Sequence, residues 1–289
     1  MKTSPDRVAQ AAVLAMLIEL SSTPKPGNVD RGHDFEEIKF HHFLISAVSA
    51  YPIFRDAAMG SEPTGALIRR AVSSWRGWGL SQNTHFGTVT LLVPLAVAAG
   101  RGGDLKVEVA GVLEETTVED AVELYASFAI AGARVAEVEA LSLKDPHAAD
   151  CVRSEGRTLL DLMRLSSGHD LVAREWSTGF KRSFELAETL ARRVYDLGLN
   201  DGVVMTYLEA LAHVPDSLVA SKFGPKSAEE ASRRAGSILG FEAGETLRLA
   251  GELDREFVEE DINPGSTADL IGAALFIALV GGSILRSEE

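Results

Sequence analysis

Residues 270–285 carry no charged side chain. This segment is shorter than the roughly 20 apolar residues that span a bilayer, and it contains Gly281 and Gly282. A chain must cover such a segment with its own other parts, so we predict a buried central helix here. Elsewhere the apolar residues recur at helical spacing, as in residues 8–20, without sustained strand alternation. We therefore predict an all-α fold.

The periodicity predicts about ten helices along the chain. They cover residues 5–20, 36–58, 63–75, 89–99, 117–131, 148–165, 171–197, 200–214, 227–239 and 245–260, besides 270–285. Asp216 or Ser217 would cap a further short helix that Gly224 and Pro225 end. Residues 100–116 are the least helical part and predict a short strand pair or a loop, and residues 143–146 predict a turn. No repeat and no linker-like segment divides the chain, so we predict a single domain over residues 1–289.

Composition limits the classes of function. The formal net charge of -14 argues against binding nucleic acid through a general basic surface. Cys151 is the single cysteine, which excludes a disulfide framework and a cysteine metal site and indicates a cytoplasmic protein. The first ten residues lack the layout of a signal peptide, and we expect no membrane association.

The most unusual polar segment is TPKPGNVDRGHDF, residues 23–35, directly after the first predicted helix. Pro24, Pro26 and Gly27 predict a stiff loop, because each proline fixes its own φ and restrains the residue before it. The loop carries charged and amide side chains, namely Lys25, Asn28, Asp30, Arg31, His33 and Asp34. A lysine for phosphates and carboxylates for a metal ion would use this mixture. An ordinary polar connection between helices is the alternative.

Three more polar segments lie at predicted helix ends. In residues 81–88, SQNTHFGT, Asn83 or Thr84 would cap the next helix. Alternatively, Asn83, His85 and Thr88 would bind an anion at its N-terminus, where Gly87 lets a ligand approach the backbone closely. Residues 213–225 contain Asp216 and Lys222, and residues 261–270, DINPGSTADL, contain Asn263, Gly265, Ser266 and Asp269. Ser266 with Asp269 also matches a capping box. The helix-cap and binding-site interpretations stay open for each segment.

If these four segments converge at one end of a helical bundle, their side chains suit a metal-assisted reaction on a phosphorylated, nucleotide-like substrate. The chain has no P-loop and no GxGxxG after a strand, which excludes the common phosphate-binding folds.

The segments TPKPGNVD, NTHFG, VPDS and NPGSTADL, in this order, resemble the triphosphoribosyl-dephospho-CoA synthase family over about residues 20–280. The resemblance implies an all-helical enzyme that takes ATP and 3′-dephospho-CoA, releases adenine and makes 2′-(5″-triphosphoribosyl)-3′-dephospho-CoA. Bacterial members typically have a lysine where Phe86 stands and the segment PGGSADL where residues 264–270 read PGSTADL. They also tend to have an arginine–glycine pair after the PD motif, where Lys222, Phe223 and Gly224 stand here. This variant pattern resembles archaeal-type relatives. It leaves the implied nucleotide chemistry in place and the identity of the acceptor substrate open.

The implied chemistry assigns roles to the polar residues. His85 or Asp30 would deprotonate the acceptor hydroxyl. Asp34, Asp216 and Asp269, with Asp30 as an alternative, would hold Mg²⁺ next to the ATP substrate. Contacts to substrate or nucleotide are expected from Lys25, Gly27, Asn28, His33, Asn83, Thr84, Gly87, Lys222, Asn263, Gly265 and Ser266.

Two other classes of function remain open at this stage. One is a related ribosyl or phosphoribosyl transferase, or a nucleotide hydrolase, in another cofactor pathway such as pterin cofactor synthesis. The other is a non-catalytic helical nucleotide-binding protein. Apolar helices such as residues 89–99 are compatible with a homodimer and with a monomer.

Overall fold

The computed structural model describes residues 3–35, 38–80, 83–132 and 148–285. Within these ranges the chain forms sixteen helices and no strand, which confirms the all-α prediction. The helices are α1 (Pro5–Ser21), α2 (Phe40–Ser49), α3 (Tyr51–Met59), α4 (Thr64–Arg76), α5 (Phe86–Arg101), α6 (Leu105–Glu114), α7 (Val118–Ala131), α8 (Ala148–Glu155), α9 (Leu159–Ser166), α10 (Leu171–Ser177), α11 (Lys181–Leu197), α12 (Leu199–His213), α13 (Ser217–Phe223), α14 (Pro225–Ser237), α15 (Ala243–Glu259) and α16 (Gly265–Val280).

The helices group into two compact units, each discontinuous in sequence. The first contains Met1–Leu14 and His42–Lys181, and the second contains Ala15–His41 and Arg182–Glu289. Helix α1 thus contributes its beginning to one unit and its end to the other. The single-domain organisation expected from the sequence stays a prediction.

Helix α5 is the core of the first unit. All its residues from Thr88 to Gly100 are buried, and α3, α4, α6 and α10 pack against it. The indole Nε1 of Trp176 on α10 donates to the carbonyl of Thr90 at 3.2 Å, so its one polar atom is satisfied inside the core. Each fully buried aliphatic side chain on such a helix contributes about 1.5–3 kcal/mol relative to an exposed one. This burial explains why the helix needs no polar face.

Helix α16 is the buried core helix of the second unit, as α5 is of the first. Its residues from Leu270 to Ala278 are buried, where α12 and α13 contact it. The buried, uncharged helix expected from the sequence is therefore confirmed. It begins earlier than expected, at Gly265, and ends at Val280, before the glycine pair.

Three predicted helices are each two helices. Residues 36–58 divide into α2 and α3 around Ala50, because Pro52 has no N–H for a continuous helix. Residues 148–165 divide where Gly156 has a φ of +64° and Thr158 caps the start of α9 with a capping box. Residues 171–197 divide at Gly179 and Phe180, whose φ values are +64° and +61°. The predicted turn at 143–146 lies outside the described residues.

The expected strand or loop at residues 100–116 is wrong, because most of it is helix α6. The side chain of Asp104 accepts the N–H of Val107 at 3.0 Å and so caps this helix. Its apolar residues Val109, Val112 and Leu113 are buried at helical spacing. The capping box predicted at Thr117 and Asp120 is confirmed at the start of α7.

In the described ranges, no single helix combines the length and the apolar character needed to cross a membrane. Helices α5 and α6 meet these two criteria only as a pair, and the pair is bent by 116°.

Candidate active site

Asp30 closes the polar loop of residues 23–35 on itself. Its Oδ2 accepts the backbone N–H of Lys25 at 3.1 Å, and its Oδ1 accepts that of Gly32 at 2.6 Å. The backbones of Asp30 and His33 also pair as an isolated β-bridge. Since the side chain is buried, both carboxylate oxygens shape the loop. This placement does not support the expected role of Asp30 as a catalytic base.

Lys25 is fully buried beneath the same loop. Its ammonium group forms an ion pair with Glu19 on α1 and donates to Asn28 Oδ1 at 2.8 Å and to the carbonyl of Val29 at 3.5 Å. Burial raises the pKa of the Glu19 carboxyl, and Lys25 offsets part of that rise. An ammonium has three donors, and all three have partners here. The expected phosphate contact of Lys25 therefore does not fit this geometry.

The carboxamides of Asn28 and Asn263 connect the loop to the turn before α16. Asn28 Nδ2 donates to Asn263 Oδ1 at 3.1 Å. Asn28 is buried and Asn263 is half-buried, so the pair extends from the interior towards the surface. The structure thus brings together Lys25, Asn28 and Asn263, three residues that the sequence analysis selected from two separate segments.

His33 lies between two carboxylates. Its Nδ1 is 3.3 Å from Asp254 Oδ2 on α15 and 3.7 Å from Asp30 Oδ1, which are ion-pair distances. Partial burial would lower the pKa of His33, but the interactions with Asp254 and Asp30 outweigh it and raise the pKa above the ordinary value. The loop therefore favours an imidazolium at this position.

Gly27 allows the loop to lie directly against α15 and the segment after it. Its φ is +73°, and a Cβ atom there would be 2.1 Å from the carbonyl oxygen of Ile262. Its N–H donates to Asp254 Oδ1 at 2.9 Å, while the buried hydroxyl of Tyr207 on α12 donates to the carbonyl of Pro26 at 2.9 Å. Gly27 is thus required by the packing of the loop.

Glu19 and Asp254 are the members of this cluster that the sequence analysis missed. Glu19 is the lone acid in the apolar end of α1, MLIEL, which is a signal that a charge is buried there. Asp254 lies four residues after the buried Ala250 and three before the buried Phe257, so helical spacing places it on the inner face of α15. Both signals become informative only when Lys25 and His33 are known to need partners.

Asp216, a predicted metal ligand, is a double helix cap. Its Oδ1 accepts the N–H groups of Leu218 and Val219 on α13, at 2.8 and 3.1 Å. Its Oδ2 accepts the N–H and the hydroxyl of Thr267 on α16, at 2.7 and 2.8 Å. Ser266, the neighbour of Thr267, accepts the hydroxyl of Ser217 at 2.9 Å. The Asp216 side chain is fully buried, so a metal ion would have to displace these donors.

The other two predicted metal ligands do not complete a site. Asp34 Oδ1 accepts the N–H of Phe40 at the start of α2. Asp269 is half-buried in the first turns of α16, and the capping box expected from Ser266 and Asp269 is not formed, because Pro264 is the N-cap. In the parts of the chain that the structure describes, no three His, Cys, Asp or Glu side chains are grouped as a metal site. The predicted trio therefore does not fit a resident Mg²⁺.

Lys222 and Gly265 are the remaining predicted contact residues in the second unit. Lys222 on α13 is exposed, forms an ion pair with Asp261 and lies 5.0 Å from the ring centroid of Phe223. Gly265 begins α16, and a Cβ there would be 2.8 Å from Leu218 Cδ2, so this position has a packing requirement. Of the two predicted lysines, Lys222 is exposed and Lys25 is buried.

The predicted residues of the segment 83–87 belong to the first unit. Asn83 Oδ1 accepts the N–H of Phe86 at 3.3 Å, and His85 is the N-cap residue of α5, with Gly87 in its first turn. The imidazole of His85 is buried, with Nδ1 2.7 Å from the hydroxyl of Ser46. The hydroxyl of Thr84 is buried without a hydrogen-bond partner among the described residues. The predicted helix is confirmed, but it begins at Phe86, before the expected residue 89, and His85 occupies the N-cap position expected for Asn83 or Thr84.

Known proteins resemble this chain over nearly its whole length. The CitG family profile, described as ATP:dephospho-CoA triphosphoribosyl transferase, matches residues 5–286. A protein of Stutzerimonas stutzeri named 2-(5″-triphosphoribosyl)-3′-dephosphocoenzyme-A synthase is 27% identical, over 95% of this chain and 92% of its own. A relative of the same name from Pseudomonas savastanoi is 26% identical, over 94% and 90%.

A solved structure shares the fold. It is an Archaeoglobus fulgidus protein named triphosphoribosyl-dephospho-CoA synthase, with a TM-score of 0.69 and 29% identity, over 83% of this chain and 99% of that one. The chain belongs to the CitG family of ATP:dephospho-CoA triphosphoribosyl transferases, and it is a transferase.

Proposed function

We propose that this protein transfers the 5-triphosphoribosyl group of ATP to a hydroxyl of 3′-dephospho-CoA, releasing adenine and giving 2′-(5″-triphosphoribosyl)-3′-dephospho-CoA. The observation that carries this proposal is the family match over residues 5–286, which includes all four polar segments. The polar network of Glu19, Lys25, Asn28, His33 and Asp254 also supports it, because it holds the most characteristic of these segments in one defined conformation. Glu19, Lys25 and Asn28 are buried in this network, and His33 and Asp254 are half-buried.

The proposed reaction is a displacement at the ribose C1′. The 2′-oxygen of dephospho-CoA forms a bond to C1′ while the bond from C1′ to N9 of adenine breaks. Adenine leaves with the electron pair and takes up a proton, and the hydroxyl group loses one, so that charge and atoms balance. The transition state resembles an oxocarbenium ion, as in glycoside transfer. The triphosphate stays on the transferred sugar and must be held without being cleaved.

Lys222 is the proposed contact to the triphosphate. It is exposed, and its partner Asp261 is also exposed, so a phosphate can replace Asp261 at little electrostatic cost. Mg²⁺ enters in this proposal as part of the MgATP substrate, since the three predicted carboxylates do not fit a resident ion. Lys222→Ala should raise the KM for ATP. Lys226→Ala is the matched control, because Lys226 is exposed at the start of α14.

His85 is the proposed acceptor of the hydroxyl proton. The hydroxyl of Ser46 lies 2.7 Å from Nδ1 and fixes the orientation of the ring. General-base catalysis typically contributes about 10²–10⁴-fold, so His85→Gln should lower kcat by about that factor. His213→Gln is the control, because His213 is an exposed histidine at the end of α12. An unchanged kcat in His85→Gln would remove this role.

The decisive experiment incubates the protein with ATP and Mg²⁺, with and without dephospho-CoA, and follows products by mass spectrometry. Adenine with a triphosphoribosyl adduct supports the proposal. Dephospho-CoA whose ribose lacks the 2′-hydroxyl is the control acceptor and should give no adduct. Adenine without an adduct would contradict the proposed acceptor, and intact ATP in both incubations would contradict the reaction itself.

A further inference from the structure

The amide of Asn28 has a fixed orientation. The Lys25 ammonium has only donors, so the atom of Asn28 that lies 2.8 Å from Nζ must be the carbonyl oxygen. Asn28 Nδ2 then points to Asn263 at 3.1 Å, and the atom that it meets must be Oδ1. The direction of donation along Lys25, Asn28 and Asn263 thus follows from the lysine, and we call these three residues the amide relay.

The outer end of the amide relay is a hydrogen-bond donor. With Oδ1 of Asn263 turned towards Asn28, its amino group points the other way. Among the described residues, this amino group has no hydrogen-bond partner in the protein, and it is not enclosed, so water or a ligand can reach it. Polar groups in such positions normally have a partner in protein, water or ligand. Turning the Asn263 amide over would place its amino group against that of Asn28. The turned-over orientation should therefore be less populated by roughly 5- to 150-fold.

We propose that Asn263 donates a hydrogen bond to an acceptor atom of the nucleotide substrate, and that Lys25 is a positioning residue that imposes this polarity through Asn28. The inference rests on the proposed function and deepens it. Lys25 thus has a positioning role in place of the phosphate contact expected from the sequence. Glu19 has a part in this arrangement, because its buried carboxylate holds the ammonium group in place.

Two kinds of acceptor atom share this chemistry. One is a ring nitrogen of adenine, N3 or N7, where a donor would stabilise the electron density that builds up as adenine leaves. The other is an oxygen of the ribose or the triphosphate, where a donor would contribute to binding. The experiment distinguishes them with 3-deaza-ATP and 7-deaza-ATP, each of which lacks one ring acceptor.

Two isosteric variants test the direction of hydrogen-bond donation along the amide relay. Asn28→Asp keeps the contact to Lys25 but offers Asn263 only acceptors, so the amide of Asn263 should turn over and present its oxygen. Asn263→Asp presents oxygen directly. We expect both variants to keep the thermal stability within a few degrees and to lower kcat/KM for ATP by roughly 5- to 150-fold, the cost of an unsatisfied polar group. Unchanged kcat/KM in both variants would overturn the inference.

Asn200→Asp is the matched control. Asn200 lies in the same unit and bonds to the backbone of Thr23, but it is outside the amide relay. It should lose thermal stability and keep kcat/KM per folded molecule within about twofold, since neither the relay nor its direction changes. If Asn200→Asp loses kcat/KM as strongly as Asn263→Asp, the relay has no special role and the inference is wrong.

The analogues then locate the acceptor. If Asn263 contacts a ring nitrogen, the matching deaza-ATP lowers the rate of the wild type and causes no further loss in Asn263→Asp. If both analogues lower the rates of wild type and variant by equal factors, the acceptor is an oxygen of the ribose or the triphosphate. Together with a lower kcat/KM of Asn263→Asp for ATP, either pattern supports a donor at Asn263.

Calorimetric binding of ATP separates this inference from the proposed function. Wild type that binds ATP without turnover would contradict the proposed reaction, and weaker binding by Asn28→Asp and Asn263→Asp would still support the relay. Equal binding and turnover by wild type and both variants would contradict the relay alone. Wild type that does not bind ATP would overturn both.

Discussion

Asp216 and Thr267 join the beginnings of two helices through one carboxylate. Asp216 caps α13 with Oδ1, while its Oδ2 accepts both the N–H and the hydroxyl of Thr267 in the first turn of α16. Burial raises the pKa of Asp216, and the hydrogen bonds from Thr267 and the backbone of α13 oppose that rise. Asp216 is 51 residues from Thr267 in sequence, so this carboxylate connects two of the polar segments.

We predict that Asp216→Asn lowers the free energy of unfolding by about 1–3 kcal/mol, because the new amino group would face the N–H of Thr267 and leave it unsatisfied. Urea unfolding of the purified variant would measure this. Asp104→Asn is the control, since Asp104 caps only α6 and asparagine is an equally good N-cap. A stable Asp216→Asn protein that needs far more Mg²⁺ for activity would instead favour the original assignment as a metal ligand.

Gly27→Ala should destabilise the protein by more than the left-handed φ alone costs, because the new Cβ would lie 2.1 Å from the carbonyl oxygen of Ile262. The control is Gly60→Ala. Gly60 has a similar φ of +66° and nothing within 4 Å of a Cβ, so its cost should be only about 1–2 kcal/mol. Thermal unfolding of the two variants gives the comparison. Equal destabilisation would mean that the loop can shift away from Ile262.

The helices that the sequence predicted well are those with local signals. The capping box at Thr117 and Asp120 and the uncharged run of α16 each need only a few neighbouring residues to be recognised. Helix α6 was missed because Gly102 and Gly103 before it suggest a loop, although Asp104 is an N-cap and Val109, Val112 and Leu113 have helical spacing.

The residue types of the polar cluster were predicted from the sequence, but the contacts of these residues were not. Lys25, Asn28 and His33 do lie in one polar cluster, as a charged loop between prolines suggested. Their partners Glu19 and Asp254 could not be assigned, since Asp254 meets Gly27 across 227 residues of sequence. Whether a lysine faces solvent or a buried carboxylate depends on such distant packing. Its sequence neighbours do not determine it.

Lys25→Met should lower the free energy of unfolding by about 3–5 kcal/mol, because it leaves the buried Glu19 carboxylate without its partner. Replacing both residues, in Glu19→Gln with Lys25→Met, removes that unpaired charge and should restore most of the loss. A double-mutant cycle in denaturant measures the coupling. The exposed pair of Arg248 and Glu245 is the control and should show little coupling. Additive effects at Glu19 and Lys25 would contradict a buried ion pair.

His33 should make the stability of the protein depend on pH. Its pKa in the folded state is raised above the ordinary 6.5. The stabilisation by its charged form is therefore fully present below pH 6.5 and is lost as the pH rises through the raised pKa. The difference in unfolding free energy between wild type and His33→Gln should accordingly shrink as the pH increases over this window.

The cause of the His33 shift can be tested directly by titrating its ring signals with NMR. Asp254→Asn should lower the pKa of His33, because it removes the carboxylate 3.3 Å from Nδ1 while burial, which opposes the charge, remains. Glu252→Gln is the control on the same helix, since Glu252 pairs with Arg248 on the exposed face of α15. If both variants leave the pKa of His33 unchanged, Asp254 does not hold the imidazolium. The loop would then be ordered by Asp30 and Lys25 alone.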